Sequence, residues 1–586
     1  MEPEKVKKFI LNAYKEAKEA RKSREQMWDK MYKEYRCERD WSGYEEWQSK
    51  IVIPKLAMMI KQASAILRRA LVDQPQWWNI VDVPLEKQRT AELIKKIIDV
   101  WLDDHKFFKV FSNCVSYGLL TGMMYAKVFM DQKEVMDVVD GNIVSKKVDI
   151  INFEAIDPYN IYLDPTGRNQ YIIEKIYISL DKLLSLYKED QLKPPENQVY
   201  TDEILLIKED YNDSSEKNKA NARKGVLPQT NIVTRKEVEV LEFWGDIIDP
   251  DDPNNVLPNQ HAMIANREYL IMNATPNTFI TGKPPYIISS IDWDPQAVYN
   301  MSVFEKAFSI IEEIPRMVNA IIDGGKLSAI PFGEVDASAL ENPEDIANGI
   351  YPGLLAQINP QKPGEKALNI TTNNAFRPEL MTIVYYLSQE LQNSTGMTEF
   401  LMGQPTSKGR PSAREVQIKL TQSSSLFDSY AKNIENEFIP EFIKTIYLLS
   451  IQYLKNETSP PENLKKIFDT YDENIKWDIT TPDQRASLIE GIFHFKVSGI
   501  SQMLEKQAKL EKTMTFLKIV GGIPIPVLAT SDKLLEKIGI LLDMTVEEIG
   551  QVINGFKLLM QQSIQGGQSQ LPSAKADGLQ FQEKEK

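Results

Sequence analysis

Between Ser302 and Tyr453 the sequence dictates long helices and offers no pattern that catalysis would require. Ser302-Val-Phe-Glu305 is a capping box, so a helix is expected from Ser302 to Asp323. Its apolar residues Phe304, Phe308, Ile311, Ile314, Val318 and Ile321 recur at three and four residues and form one stripe. Glu305, Glu312 and Arg316 lie largely off that stripe. Pro315 removes a backbone donor and should bend the rod near its middle, and Gly324-Gly325 should end it. About twenty residues make a rod of roughly 30 Å; an ordinary core helix has the same periodicity. The next segment, 327–376, is punctuated by Pro331, Pro343, Pro352, Pro360 and Pro363, which suits a compact module of short strands with one small helix. A second helix is expected from Pro378 to Ser394, opening near Glu379 and carrying Leu380, Met381, Val384, Leu387 and Leu391 as its stripe. A glycine-containing loop, 396–411, then feeds a third helix at the capping box Ser412-Ala-Arg-Glu415, which Pro440 should interrupt.

With 586 residues, 42% hydrophobic and 26% charged, the chain exceeds a single core and should form several subdomains of ordinary globular composition. No apolar run approaches the ~20 residues needed to span a bilayer, so no membrane partner is expected. Met1-Glu-Pro-Glu-Lys5 is read as lacking a signal-peptide core. Cys37 and Cys114 are far apart without metal-ligand spacing, which predicts two free thiols in a reducing compartment. A formal net charge of −14 runs against tight phosphate binding, which releases counterions from a basic face. Three readings follow: no nucleic-acid contact, contact through a local basic feature, or weak contact by design. Lys408, Arg410, Arg414 and Lys419 are the most concentrated basic patch of the central region, beside Gly403 and Gln404. A solvated helix start and a face toward a polyanion account for them equally well.

Around this centre the pattern is α+β. Val6 to Lys33 reads as an exposed amphipathic helix, followed by helices over Lys55–Val72, Thr90–Asp104 and Phe107–Leu120. Tyr125–Met130 and Lys146–Phe153 alternate as strands flanking Asp140-Gly-Asn142, a hairpin signal. A short helix is expected over Ser179–Lys188, and strands over Lys236–Gly245 and Glu268–Met272. The polar stretch 212–225 reads as a linker. Tyr471–Ile479 reads as a strand, everything from Thr481 onward as helix with capping boxes at Thr481-Pro-Asp-Gln484 and Thr545-Val-Glu-Glu548, and the tail after Gln561 as disordered.

No reactive constellation stands out. His105, His261 and His494 are isolated, so no metal site is expected, and no cofactor. The loop 403–409 departs from a phosphate-binding loop, because no Lys-Ser/Thr pair follows its second glycine. Asp157-Pro and Asp164-Pro are turn dipeptides before they are paired carboxylates. An enzyme is not expected.

The order of these elements resembles the portal proteins of tailed bacteriophages, particularly the longer portals of short-tailed phages. Local phrases agree: 47–54, 116–128, Glu242-Phe-Trp-Gly245, Lys283-Pro-Pro-Tyr286, 396–403 and Ser412-Ala-Arg-Glu-Val416, within a resemblance covering roughly residues 5–555. The resemblance implies an α+β, mostly helical portal fold assembled as a ring, commonly a homododecamer, at one capsid vertex of the virion. It assigns 1–300 and 412–480 to a wing, 301–326 and 377–395 to stem helices carrying Glu305, Glu312, Pro315, Arg316 and Glu379, and 327–376 to a clip. It makes 396–411 a tunnel loop in which Gly403, Gln404, Lys408 and Arg410, with Arg414 just beyond, meet DNA, 481–560 a crown and 561–586 a disordered tail. The implied partners are double-stranded DNA passing without sequence recognition, the terminase motor, major capsid and scaffold proteins, and tail adaptor proteins. Assembly is expected in the host cytoplasm. Twelve copies would sum to roughly −170 formal charges, a wall that repels phosphate and lets duplex slide. A structural virion oligomer without a DNA channel is the alternative.

Overall fold

The computed structural model describes residues 1–497 apart from 74–76, 82, 105, 140–141, 208–236, 330–331, 336–367, 372–376, 398–424, 457–458 and 472–474. All of these belong to the first of two compact units, Met1–Gly499. The fold is α+β. Helix α1 (Pro3–Tyr35) is followed by α2 (Lys55–Leu71), strand β1 (Trp78–Val81), α3 (Gln88–Asp104) and α4 (Phe107–Thr121). Gly122 closes α4 at φ 90°, and a Cβ there would sit 2.2 Å from the Asn300 carbonyl oxygen, so the turn requires glycine. The expected hairpin forms and runs longer than its pattern: β2 (Met123–Val139) pairs antiparallel with β3 (Asn142–Ala155).

Next come β4 (Ile161–Leu163), β5 (Tyr171–Ser179), α5 (Leu180–Gln191), β6 (Glu237–Ile248), β7 (Val256–Ala265), β8 (Tyr269–Pro276) and β9 (Tyr286–Ser290). Strands β4-β5-β6-β7-β8 form a five-stranded antiparallel sheet, and β3-β2-β9 a three-stranded one. The sequence pattern found β6 and β8 but not β5, whose first five residues are all buried and do not alternate. Asp157 and Asp164 are turn residues: Asp157 accepts from the Tyr159 amide at 3.1 Å and Asp164 from the Thr166 and Gln170 amides at 2.9 and 3.1 Å.

Helix α1 is not the exposed element its charge density predicts. Val6, Ile10, Ala13, Tyr14 and Ala17 are buried against Tyr162, Ile173, Leu241, Phe243 and Ile264 of the five-stranded sheet. Farther along, Trp28 is buried among Met123, Tyr125, Tyr159, Trp244 and Tyr286, where the two sheets meet. The narrow apolar stripe suffices because a sheet face accepts it, and the buried Arg21 on the same helix donates to the Pro158 and Tyr159 carbonyls.

The central elements are α6 (Phe308–Ala329), β10 (Phe332–Val335), β11 (Leu368–Thr371) and α7 (Glu379–Thr395). Then follow α8 (Ser425–Asn433), a π-helical turn over Ile434–Phe438, α9 (Ile439–Lys455), α10 (Glu462–Tyr471), α11 (Pro482–Ile489) and β12 (His494–Val497). Several expectations are corrected here. Residues 303–307 form tight turns with bonds such as Ala307 N to Phe304 O at 3.2 Å, so α6 begins six residues after Ser302. Its end lies beyond Gly324-Gly325, since glycine inside a helix costs only about 1 kcal/mol and side-chain anchors hold this end. Pro440 does not interrupt the helix. The Ile439 N–H donates to the Ile434 carbonyl five residues back, and this widened turn lets Pro440 start α9 without a clash.

The described residues of the strand expected over Tyr471–Ile479 do not form one: α10 covers Tyr471, and Trp477 packs edge-on against Phe468 with the Arg485 guanidinium over its ring. The segment after Thr481 is not wholly helical either, because β12 pairs antiparallel with β1. Four residues with Phe495 and Val497 are too short a run to read as a period. The capping box at Thr481 and Gln484 is present as expected. The linker 212–225, the capping boxes at Ser412 and Thr545 and the tail after Gln561 lie outside the described residues.

Candidate functional site

The pair α6 and α7 is the part of the fold that the sequence marked, and its geometry is built from the root outward. Ahead of α6, Glu305 is held by Arg24 of α1 through a bidentate pair at 2.7 and 2.6 Å, and it accepts from the Ser302 amide at 3.2 Å. A two-point guanidinium–carboxylate contact at a largely buried site fixes direction as well as position. Phe308, Ile311, Ile314 and Pro315 are buried, so the first half of α6 is embedded in the body of the protein.

The second half is held by a strap, residues 47–51, that leads into α2. Asn319 donates to the Ile51 carbonyl and accepts from its amide, both at 3.0 Å. One turn on, Asp323 accepts from the Ser49 amide at 2.7 Å, and Lys326 donates to the Trp47 carbonyl at 2.9 Å and to Ser49 Oγ at 2.7 Å. Burial works against the Asp323 charge, but the Ser49 hydrogen bonds and the Lys326 ammonium outweigh it and hold its pKa below the ordinary value. Residues at i, i+4 and i+7 share one helix face, so three polar side chains act on the strap as strand-like partners.

Beyond α6 the antiparallel ladder of β10 and β11 returns the chain, bringing the end of α6 near the start of α7. Helix α7 ends at Gly396, whose φ of 70° stops the helix. Glu379 is exposed in the first turn of α7, where a carboxylate suits the helix dipole. Glu312 and Arg316 meet on an exposed flank of α6, with Arg316 3.8 Å from Glu312 and 3.5 Å from Glu313. Such solvated pairs contribute about 0–1 kcal/mol. The structure therefore brings Glu312 and Arg316 together, sets Glu305 apart at the root and buries Pro315. Gly403, Gln404, Lys408, Arg410 and Arg414 lie outside the described residues.

A second constellation went unread in the sequence. Lys127 of β2 reaches across to the five-stranded sheet and contacts Glu174 of β5 at 2.7 Å and Glu242 of β6 at 2.5 Å. Tyr286 of β9 donates to Glu174 at 2.9 Å, Trp244 donates to Glu242 at 3.0 Å, and His261 of β7 lies 3.3 Å from Glu242 while stacking on Trp244. Burial disfavours every charge here. For Lys127 the attraction of Glu242 and Glu174 outweighs it and raises the pKa, and for Glu242 the pull of Lys127 and His261 outweighs it and lowers the pKa. Glu174 stays above the usual carboxylate value, because burial and repulsion by Glu242 exceed what Lys127 offers it. The cluster clamps the two sheets together. Charged residues on three separate strands left no local signal.

Among the described residues no group of three or more His, Cys, Asp or Glu is placed to hold a metal ion. Both cysteines are free, Cys114 fully buried. Among the described residues no helix is long and apolar enough to cross a membrane. The family model for the phage SU10 portal protein matches residues 136–460, more than half of the chain, and the chain belongs to that family. The matched region runs from within β2 to just beyond α9 and so contains α6, α7 and the intervening module. No curated protein matches the sequence.

Proposed function

We propose that this chain is the subunit of a portal ring at one capsid vertex, the conduit through which double-stranded DNA enters the head and later leaves it. The observation that carries the reading is the family match across 136–460 together with the antiparallel helices α6 and α7 joined through the β10–β11 ladder. In this reading α6 and α7 are the stem and 327–376 the clip, the face that receives the terminase motor and then the tail adaptor. The tunnel loop is 396–411, with Lys408 and Arg410 touching phosphates weakly and without base readout. Residues 1–300 and 412–480 form the wing and 481–560 the crown, set against the major capsid and scaffold proteins. The ring is a homododecamer assembled in the host cytoplasm. In this reading the force on DNA comes from the separate motor docked at the clip.

The root contacts support the stem assignment mechanically. Arg24–Glu305 and the strap on Asn319, Asp323 and Lys326 tie α6 and the turn ahead of it to the body at two places along its length, as a stem under force would need. Electron microscopy of the purified protein tests the proposal: rings with a central hole are expected, and a monomer at every concentration, or a closed disc, would overturn it.

A further inference from the structure

Away from α6 and α7, an open cleft of about 540 Å³ lies where the end of α2 meets the junction of α3 and α4. That volume falls within the range of small-ligand sites. Backbone bonds hold its rim: the Lys106 amide donates to the Asp103 carbonyl at 3.3 Å, and the Lys109 amide to the Lys106 carbonyl at 2.9 Å. Ser112 Oγ donates to the Phe108 carbonyl at 2.7 Å. One turn further along α4, Ser116 meets Ser64 of α2 at 3.4 Å and seats the two helices against each other. Arg68, one turn on from Ser64, then reaches the cleft. Three cations, Arg68, Lys106 and Lys109, thus share the cleft with one carboxylate, Asp103. Arg68 pairs with Asp73 at 3.3 Å, whereas Lys106 and Lys109 are exposed and have no ion-pair partner among the described residues. Between those two lysines in sequence, Phe108 is 41% exposed and also lines the cleft. In a chain of net charge −14 this is a local excess of positive charge around an open aromatic ring.

We propose that this cleft binds a nucleotide, with the phosphate on Arg68, Lys106 and Lys109 and the base stacked on Phe108. A phosphate monoester carries about −1.5 to −2 charges at pH 7 and three acceptor oxygens. Three cations match that demand, whereas a peptide carboxylate is met by a single guanidinium. Stacking on an aromatic ring adds affinity for any base, because every base has a π-face. Asn113 brings an amide to the same cleft, and Asp103 an acceptor for an amino group on a base edge. A base must be unpaired to reach the ring. The ligand is therefore a free nucleotide or the phosphorylated end of a single strand, and paired duplex is not recognised here. The assignment stands on the cleft and is independent of the portal reading, whose DNA contacts are placed at Lys408 and Arg410.

Isothermal titration calorimetry on the full chain tests this with dAMP, a short 5′-phosphorylated single strand and inorganic phosphate as probes. Saturable dAMP binding is expected. Lys106→Glu/Lys109→Glu should abolish it, and Phe108→Ala should weaken dAMP about tenfold or more while leaving phosphate binding unchanged. Phe108→Leu keeps an apolar side chain and loses the ring, so it should weaken dAMP in the same way. Circular dichroism confirms that each variant folds. Lys133→Glu/Lys146→Glu makes an equal change of charge at exposed positions of the β2–β3 hairpin and should bind as the parent does. Affinity separates the two sources: a strand bound more tightly than dAMP identifies a nucleic-acid end, and equal or weaker binding a free nucleotide. Four outcomes would each overturn the assignment: no saturable dAMP binding, equal losses from the hairpin pair and the cleft pair, Phe108 variants that bind dAMP as the parent does, or hexaglutamate competing as strongly as dAMP. None of them touches the portal reading, which ring formation decides.

Discussion

Lys127 serves two carboxylates at once, and that imbalance sets how the sheet junction responds to pH. Glu242 has a folded pKa below its unfolded value of about 4.3, so its contribution to stability is full above that value and is lost as pH falls beneath it. Glu174 has the opposite sign: its folded pKa is raised, so its contribution is full below about 4.3 and is lost as pH rises through the raised value. Denaturant unfolding across mildly acidic pH should therefore show stability declining just above pH ~4.3, and Glu174→Gln should remove that slope. Glu242→Gln should instead cost about 3–5 kcal/mol at neutral pH, since it leaves a buried ammonium with its weaker partner. Equal, pH-independent losses from the two variants would contradict this division. Neither role was legible in the sequence. Lys127, Glu174 and Glu242 each sit in an apolar strand where a charge reads as an outward-facing residue, and only the meeting of two sheets turns all three inward.

At the scale of elements, α6 matters through what crosses it. Asn319 satisfies both backbone groups of Ile51 and is itself buried, so Asn319→Ala strands an amide and a carbonyl and should cost about 1–3 kcal/mol. Limited proteolysis should then cut within 47–53 sooner than in the parent, and an unchanged cleavage rate would remove the strap from the account. Pro315 lies buried mid-helix without a donor for the turn behind it. The bend expected at Pro315 is tested by Pro315→Ala, which should give a straighter α6 than the parent, and equal curvature in the two would remove the proline from the account. The helix boundaries teach a related lesson. Capping chemistry read correctly at Thr481 and Gln484, where both reciprocal bonds form, but only in part at Ser302 and Glu305. There the Glu305 carboxylate still meets the Ser302 amide while its main partner is Arg24, 281 residues away in sequence and adjacent only in space. Likewise Gly324-Gly325 looked like a stop, yet the anchors at Asp323 and Lys326 keep the helix going.

At the scale of the molecule, the formal charge of −14 frames the proposed contact with DNA. A ring of such chains repels phosphate, so Lys408 and Arg410 would provide local, salt-sensitive contacts. Lys408→Glu/Arg410→Glu should leave ring assembly intact and lower the fraction of DNA-filled heads several-fold, and unchanged filling with intact assembly would favour an oligomer without a DNA channel. What the sequence alone determined was the kind of elements and their order: long helices around a proline-punctuated module, an early hairpin, and an α+β body. Local periodicity and cap chemistry specify these directly, because they depend on residues within one or two turns. The tertiary structure decided everything that joins distant segments. It paired β1 with β12, laid α1 on the five-stranded sheet, bound the strap to α6 and gathered Lys127, Glu174 and Glu242. It also left Met381, Ile383, Tyr385 and Tyr386 uncovered. Burial and pairing across hundreds of residues are properties of packing, and no window along the chain contains them.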